Sequence, residues 1–188
     1  MTLIGTPLGV EAALRLERLG RVDIQPGLTD AEFDVIEERF GFEFANDHRA
    51  FLASGLPVWT VGDDSPDKAS WGWPNWREPD TVQRQLDHPM WVVLDGVEKG
   101  CWPSGWGKRP ADPEQAIAKA RTRYLEVPRM VPVYAHRYLP AGRGTSGHPV
   151  LSIHSVHDTI VYGMDLADYV DQEFRSAEVT VPFWRDVI

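Results

Sequence analysis

The sequence predicts an α+β fold in a single domain, with a central mixed or antiparallel β-sheet flanked by helices. Three observations support this class. Helical patterns come first along the chain, strand-like runs come in its middle and second half, and the last of these runs are close enough to form hairpins. A length of 188 residues suits one domain, and no repeat or interdomain linker divides residues 1–188.

The N-terminal helices are recognised by their ends and by their apolar faces. Residues 9–20 form the first predicted helix. In the second, Thr29 and Glu32 make a capping box, and Gly41 is the expected C-terminal stop. Its apolar face is predicted from residues spaced at helical intervals, namely Phe33, Ile36 and Phe40.

The stretch from residue 46 to residue 111 combines short elements with irregular chain. Asn46 or Asp47 is predicted to cap a short helix that ends at Gly55. The other predictions for this stretch are a strand over 56–62, an irregular segment over 63–90 with a short helix at 80–87, a strand over 91–96 and a loop over 99–111.

The remaining elements follow from one strong helix start and three β-rich runs. Asp112 at the N-cap and Pro113 at the first helical position begin a helix. The runs MVPVYAHRYL, PVLSIH and TIVYG are predicted strands. Asp165 then opens a last helix, and the tail VPFWRDVI is predicted to pack back onto the body. The apolar face of this helix contains Leu166, Tyr169, Val170 and Phe174.

Charge and cysteine content exclude several classes of function. A net charge of −9 argues against binding to nucleic acid or to an anionic membrane, because both require a basic face. The single cysteine, Cys101, excludes an intrachain disulfide and a cysteine-based zinc site. The chain begins without a recognisable signal peptide and contains no apolar run near the ~20 residues of a membrane span. We therefore expect an acidic cytoplasmic protein.

The loop AGRGTSGHPVLSIH spells the motif G-x-G-x-x-G with Gly142, Gly144 and Gly147. A phosphate-binding loop needs a helix N-terminus directly after the glycines, so that free N–H groups meet the phosphate. Here His148 and Pro149 are followed by a β-rich run. The context predicts a flexible hairpin connection, and we expect no nucleotide or other cofactor.

His154, His157 and Asp158 form a compact H-x-x-H-D pattern that could in principle bind zinc or iron. On a strand, however, positions i and i+3 point to opposite faces, and Asp158 is a natural turn residue. We therefore predict no metal. A metal-dependent hydrolase that uses these three residues is the alternative from the class of enzymes. Cys101 would be a nucleophile only if a histidine packed against it.

The segment WGWPNWR places three tryptophans within six positions, after several aspartates. Acidic neighbours argue against a platform for stacking nucleic-acid bases. An exposed indole would be an anchor for a protein partner, whereas buried indoles would belong to the core. The candidate partner-binding residues are Asp63, Asp64, Asp67, Trp71, Trp73 and Trp76.

Two further stretches, 23–47 and 165–178, are rich in Asp and Glu. They are either the solvated faces of two helices or a surface that steers a basic partner.

Several segments, taken in order, resemble the SUKH superfamily, the Smi/Knr group of cell-wall regulators and toxin-immunity proteins. They are LTDAEFDVIEERFGFEFANDHRAFLASGLPVW, VPVYAHRYLP, HPVLSIHSVHDTIVYGMDLADYVDQEF and the FW of the tail. The resemblance covers about residues 28–185, and residues 1–27 are then an N-terminal helical extension. The segment 62–82 matches least clearly.

The resemblance implies an α+β protein-binding module without a catalytic centre. Bacterial members of the family are often immunity proteins that neutralise polymorphic toxins, many of them nucleases, and fungal members are signalling scaffolds. It therefore predicts an immunity protein with a basic toxin domain as its partner. A housekeeping or signalling scaffold of the same family is the alternative. The identity of the partner and the oligomeric state are not predicted.

Overall fold

Six α-helices surround two antiparallel sheets in a computed structural model that describes residues 6–60 and 72–175. This arrangement confirms the predicted α+β class. In chain order the elements are α1 Thr6–Leu19, β1 Val22–Gln25, α2 Asp30–Phe40, α3 Asn46–Ser54, β2 Leu56–Thr60, α4 Pro79–Glu98, α5 Pro113–Leu125, β3 Met130–Tyr134, β4 Arg137–Pro140, β5 Val150–Ser155, β6 Asp158–Gly163 and α6 Leu166–Phe174. A short 3-10 helix, Ser104–Trp106, lies in the loop before α5.

The larger sheet has the strand order β3-β4-β5-β6, so each strand pairs with its neighbour in sequence. The smaller sheet pairs β1 with β2. Every strand pair among the described residues is antiparallel. Helices α1 and α3 pack on one another, as do α1 and α6, which brings the two ends of the described chain together.

Local capping signals fix α2 and α6 as predicted. Thr29 accepts a hydrogen bond from the backbone N–H of Glu32, whose carboxylate accepts one from the N–H of Thr29 in return. Gly41 ends α2 with φ of 66°, a left-handed conformation that favours glycine. Asp165 accepts hydrogen bonds from the first free N–H groups of α6. The predicted apolar faces of both helices are buried.

Helix α3 begins differently from the prediction. Its N-cap is Ala45, which makes no side-chain cap. The buried side chains of Asn46 and Asp47 instead accept hydrogen bonds from the N–H groups of Gly144 and Gly147, at 3.0 and 2.7 Å. These side chains therefore bind a distant loop, and Oδ1 of Asp47 in addition accepts from the N–H of His48 in the first turn of α3, at 2.9 Å.

The predicted strand over 91–96 is wrong, because α4 continues through it to Glu98. Pro89 lies inside α4 and has no N–H to give to the carbonyl of Gln85 four residues earlier. The hydroxyl of Tyr138 donates a hydrogen bond to that carbonyl at 3.0 Å. A side chain from β4 thus supplies the donor that the proline lacks, and the helix continues past it.

The single strand predicted over 130–139 is two strands, β3 and β4. They are joined by a tight turn at Ala135 and His136, and the register pairs Tyr134 with Arg137. Ala135 has φ of 48°, a left-handed conformation that is uncommon for a residue other than glycine. The sequence therefore carries no turn residue at the point where the chain reverses. Strand β1 was also not predicted.

Candidate functional site

The candidate site is a groove between α4 and α5 with a volume of about 540 Å³, called here the α4–α5 groove. Three loops complete it: the chain after α2, the chain before β3 and the chain after β4. Apolar side chains form most of its wall. The residues that line it are Gly41, Phe42, Glu43, Leu86, Asp87, Met90, Tyr124, Leu125, Val127, Pro128, Arg129, Ala141 and Gly142.

Arg129 ties the three loops together at one side of the groove. Its Nη1 donates to the carbonyl oxygen of Phe40 at the end of α2, at 2.7 Å. Its Nη2 lies 3.5 Å from Oδ1 of Asp87 on α4. Its backbone oxygen accepts from the N–H of Ala141, at 2.7 Å. The guanidinium and its carboxylate partner are both partly exposed, so a ligand in the groove could reach the pair.

The Tyr124 hydroxyl is buried and has no hydrogen-bond partner among the described residues. Burial raises the pKa of this phenol; the nearby Asp87 raises it further, and Arg129 opposes the shift. The hydroxyl therefore stays protonated at neutral pH and can donate. A buried donor without an acceptor costs on the order of 1–3 kcal/mol, so this hydroxyl is poised to gain from a ligand that brings an acceptor.

The rim of the groove is apolar and exposed. Leu125, the last residue of α5, is 72% exposed, and Val127 is 56% exposed. Glu126 between them is engaged with Arg123 at 2.9 Å. Side chains of this kind bordering an apolar cleft are typical of a surface that another molecule covers.

The two carboxylates of the groove already have donors. Asp87 accepts from Nε2 of Gln83 at 2.7 Å in addition to its contact with Arg129. Glu43 lies 3.2 Å from Nε of Arg143. Apolar walls, one spare donor and neutralised charges suit the binding of an apolar side chain that ends in a hydrogen-bond acceptor, or of one next to a backbone carbonyl.

The tryptophan segment is placed only in part. Trp73 is 8% exposed and packs between Tyr134 and Phe174, while Trp76 is 1% exposed and lies edge-on to Phe44. Both indoles therefore belong to the core, and neither is an exposed anchor. This burial favours the core interpretation over the role of an anchor, because a partner would reach these rings only if the segment opened; their assignment as contact residues stays a prediction.

The other four candidate partner-binding residues lie outside the described residues, and their role stays a prediction. They are Asp63, Asp64, Asp67 and Trp71.

The acidic stretches prove to be partly structural. Glu37 is buried and accepts from the backbone N–H of Phe44 at 2.9 Å and from Arg143 at 2.9 Å. Asp171 pairs with Arg15 on α1 at 2.7 Å. Asp34 and Glu38 are exposed on the outer face of α2, where they remain available to a basic partner.

The H-x-x-H-D residues span the β5–β6 hairpin: His154 lies in β5, His157 in the tight turn and Asp158 at the start of β6. His154 ends up beside His136, with ring centroids 5.3 Å apart, whereas His157 lies 3.4 Å from Sγ of Cys101. The two histidines of the motif thus have different neighbours. Over residues 6–60 and 72–175, no group of three or more His, Cys, Asp or Glu side chains is placed to hold a metal ion.

The glycine-rich loop joins β4 to β5, which confirms a hairpin connection. It is not free, however: Asn46 and Asp47 hold two of its N–H groups, and the N–H of Gly142 donates to the backbone oxygen of Glu43. Amide groups that a phosphate would need are already engaged with protein acceptors.

Sequence reasoning did not identify the groove. Its polar residues Asp87, Tyr124 and Arg129 come from separate elements, and no two of them form a sequence motif. The one local signal is the pair Leu125 and Val127, two exposed apolar residues at the end of α5 and just beyond it.

Comparison with known proteins found no family model that matches the chain, and no curated protein or solved structure with significant similarity to it. None of the helices that the structure describes is both long enough and apolar enough to span a membrane.

Proposed function

We propose that this chain is a nonenzymatic protein-binding module that receives an apolar side chain of its partner in the α4–α5 groove. The observation that carries the proposal is the buried hydroxyl of Tyr124, a residue that lines an apolar cleft with an exposed apolar rim; this hydroxyl has no acceptor among the described residues. A bound segment would cover Leu125 and Val127 and, after a shift of the side chains that cover the hydroxyl, bring an acceptor to it. Both changes favour the complex over the free protein.

The partner that we propose is a toxin domain, which the chain neutralises as an immunity protein. Two observations support this choice. The segments quoted above match, in the same order, those of the SUKH superfamily, which is rich in immunity proteins. The net charge of −9 complements the basic surface that a nuclease needs. Charge complementarity of this kind speeds association and sets specificity.

The test uses the toxin domain encoded beside the gene for this chain. Binding is measured by isothermal titration calorimetry, and protection is measured as growth of cells that express both proteins. Val127→Asp places a charge on the rim, and we expect it to weaken binding about thirty-fold, the effect of losing a hot spot worth ~2 kcal/mol. Val10→Asp is the control, because Val10 is an exposed valine on α1, outside the groove and outside the acidic face of α2.

Tyr124→Phe tests the hydroxyl of the groove without changing the charge or the shape of the protein surface. It removes only the oxygen, so the folded protein should be as stable as the wild type or slightly more stable. Its affinity for the toxin should nevertheless fall.

Wild-type binding by both groove variants would remove the groove from the interface. The absence of any toxin beside the gene, or of binding to it, would overturn the proposed partner and favour a scaffold role.

A further inference from the structure

Among residues 6–60 and 72–175, strand β6 forms one edge of the four-stranded sheet, and most of its length is exposed. Residues 158–161 are all exposed, with Ile160 at 52% and Val161 at 54%. Successive residues of a strand point to opposite faces, so apolar side chains are open to solvent on both faces of this edge. An exposed apolar edge strand is a template for pairing with another strand.

The opposite edge, β3, is protected in two ways that β6 lacks. Pro132 lies in the centre of β3 and removes one N–H from the outer ladder, and the strand is buried by the body of the protein. The Asp158–Gly163 strand contains no proline or lysine, and its charge is confined to Asp158 at its first position. Natural edge strands that must not pair usually carry such residues in their centre.

The geometry of β6 limits where a partner strand can lie. A Cβ placed on Gly163 would come within 2.7 Å of the backbone of Tyr169, so the start of α6 closes the C-terminal end of the strand. The ladder to β5 is regular over Thr159–Val161 and shifts on both sides of it. Ile160 is therefore the midpoint of the stretch that can accept a partner.

A second copy of this chain can pair with β6 about a twofold axis, and symmetry then sets which residues face each other. Residues directly opposite each other in an antiparallel pair point to the same face of the sheet. When a twofold axis perpendicular to the sheet relates two identical strands, one residue must therefore lie opposite its own copy. With the axis at Ile160, this residue faces its own copy, and Thr159 faces Val161. Asp158 faces Tyr162 of the copy, so no like charges oppose each other.

We propose that two copies of this chain associate through antiparallel pairing of their β6 strands about a twofold axis at Ile160, which joins two four-stranded sheets into one of eight strands. The inference is independent of the α4–α5 groove and of any toxin. A single strand pair buries less than the ~1,000 Å² of a stable interface, so the dimer is weak and depends on concentration.

Sedimentation velocity over about 10 μM to about 1 mM measures the association, a range that spans dissociation constants typical of small interfaces. We expect the weight-average mass to rise toward that of a dimer. Ile160→Lys places two lysines opposite each other and should leave a folded monomer at every concentration. Val35→Lys is the control for an added surface charge, and it should dimerise like the wild type.

Disulfide trapping tests the register in the Cys101→Ser background. Ile160→Cys should give a covalent dimer on oxidation, because residues on the axis lie within bonding distance of their copies. Asp158→Cys should not, since four residues of strand, about 13 Å, separate it from its copy. A monomer over the whole range, unchanged dimerisation of Ile160→Lys, or equal trapping by both cysteines would overturn the proposal.

Discussion

Replacing Tyr138 by Phe tests how α4 tolerates the proline at its centre. The hydroxyl of Tyr138 donates to the carbonyl of Gln85, which Pro89 leaves without its helical partner. Tyr138 is 0% exposed, so water cannot replace the lost hydroxyl. An acceptor left unsatisfied in the interior costs about 1–3 kcal/mol, and we expect the free energy of unfolding to fall by this amount.

The second half of the test is a double-mutant cycle with Pro89→Ala. The alanine restores an N–H that reaches Gln85, so Tyr138→Phe should cost less than half as much in this background, a coupling of about 1 kcal/mol. Urea unfolding followed by tryptophan fluorescence measures all four proteins. Tyr169→Phe is the matched control, because the Tyr169 hydroxyl is buried without a partner among the described residues and its removal should not destabilise the protein. An equal cost of Tyr138→Phe in both backgrounds would refute the reasoning.

Three further predictions concern pH, capping and the glycine loop. Burial lowers the pKa of His48 to about 3 and is also the main cause of a pKa of about 4 at His136. The unfolded chain therefore binds protons at these histidines that the folded protein does not bind, and the unfolding free energy measured in urea should fall as the pH drops from ~6.5 toward ~4. The slope should approach about 1.4 kcal/mol per pH unit for fully buried His48 and be smaller for partly exposed His136, whereas a flat profile would contradict this. Asp165→Ala removes the α6 cap and should lower the unfolding free energy by about 1 kcal/mol, while the same change at exposed Asp34 should not. Gly144→Ala forces φ of 84° on a residue with a side chain; it should cost about 1–2 kcal/mol but leave a folded protein, and calorimetry with ATP should show no binding before or after the change.

Elements defined by local chemistry were predictable. Two helix starts show this, the capping box of Thr29 and Glu32 and the N-cap Asp165. Each acts within one helical turn, and the residues that predicted it lie within the same turn. The same holds for the H-x-x-H-D pattern, whose spacing argued against a shared face and which the β5–β6 hairpin divides between two strands and a turn.

The errors occurred where a distant residue supplies what the local sequence lacks. Pro89 predicts the end of a helix, but the Tyr138 hydroxyl, which lies 53 residues from Gln85 in sequence, donates to the carbonyl that Pro89 leaves without its helical partner. Asn46 and Asp47 have the composition of a helix cap, but their acceptors are occupied by a loop about 100 residues later. The turn at Ala135 has no residue that marks it.

The candidate groove could not be predicted for a related reason. Its polar groups are single residues on α4, on α5 and before β3, and no two of them form a sequence motif. What defines the site is the missing acceptor of Tyr124, and an absence of that kind is visible only once the surrounding atoms are in place.

The hydrogen bonds from the glycine loop to α3 can form only after the loop has been synthesised, well after α3 itself. Asp47 is 0% exposed in the folded protein, and its Oδ2 accepts from the N–H of Gly147, which is synthesised 100 residues later. A ribosome that adds about 5–20 residues per second needs roughly 5–20 s to make that stretch. During this interval the carboxylate must remain hydrated, and the apolar faces of α2 and α3 lack the strands and the last helix that cover them. The N-terminal third therefore emerges as a segment that cannot mature alone, and it is the part of the nascent chain that most needs shielding from aggregation.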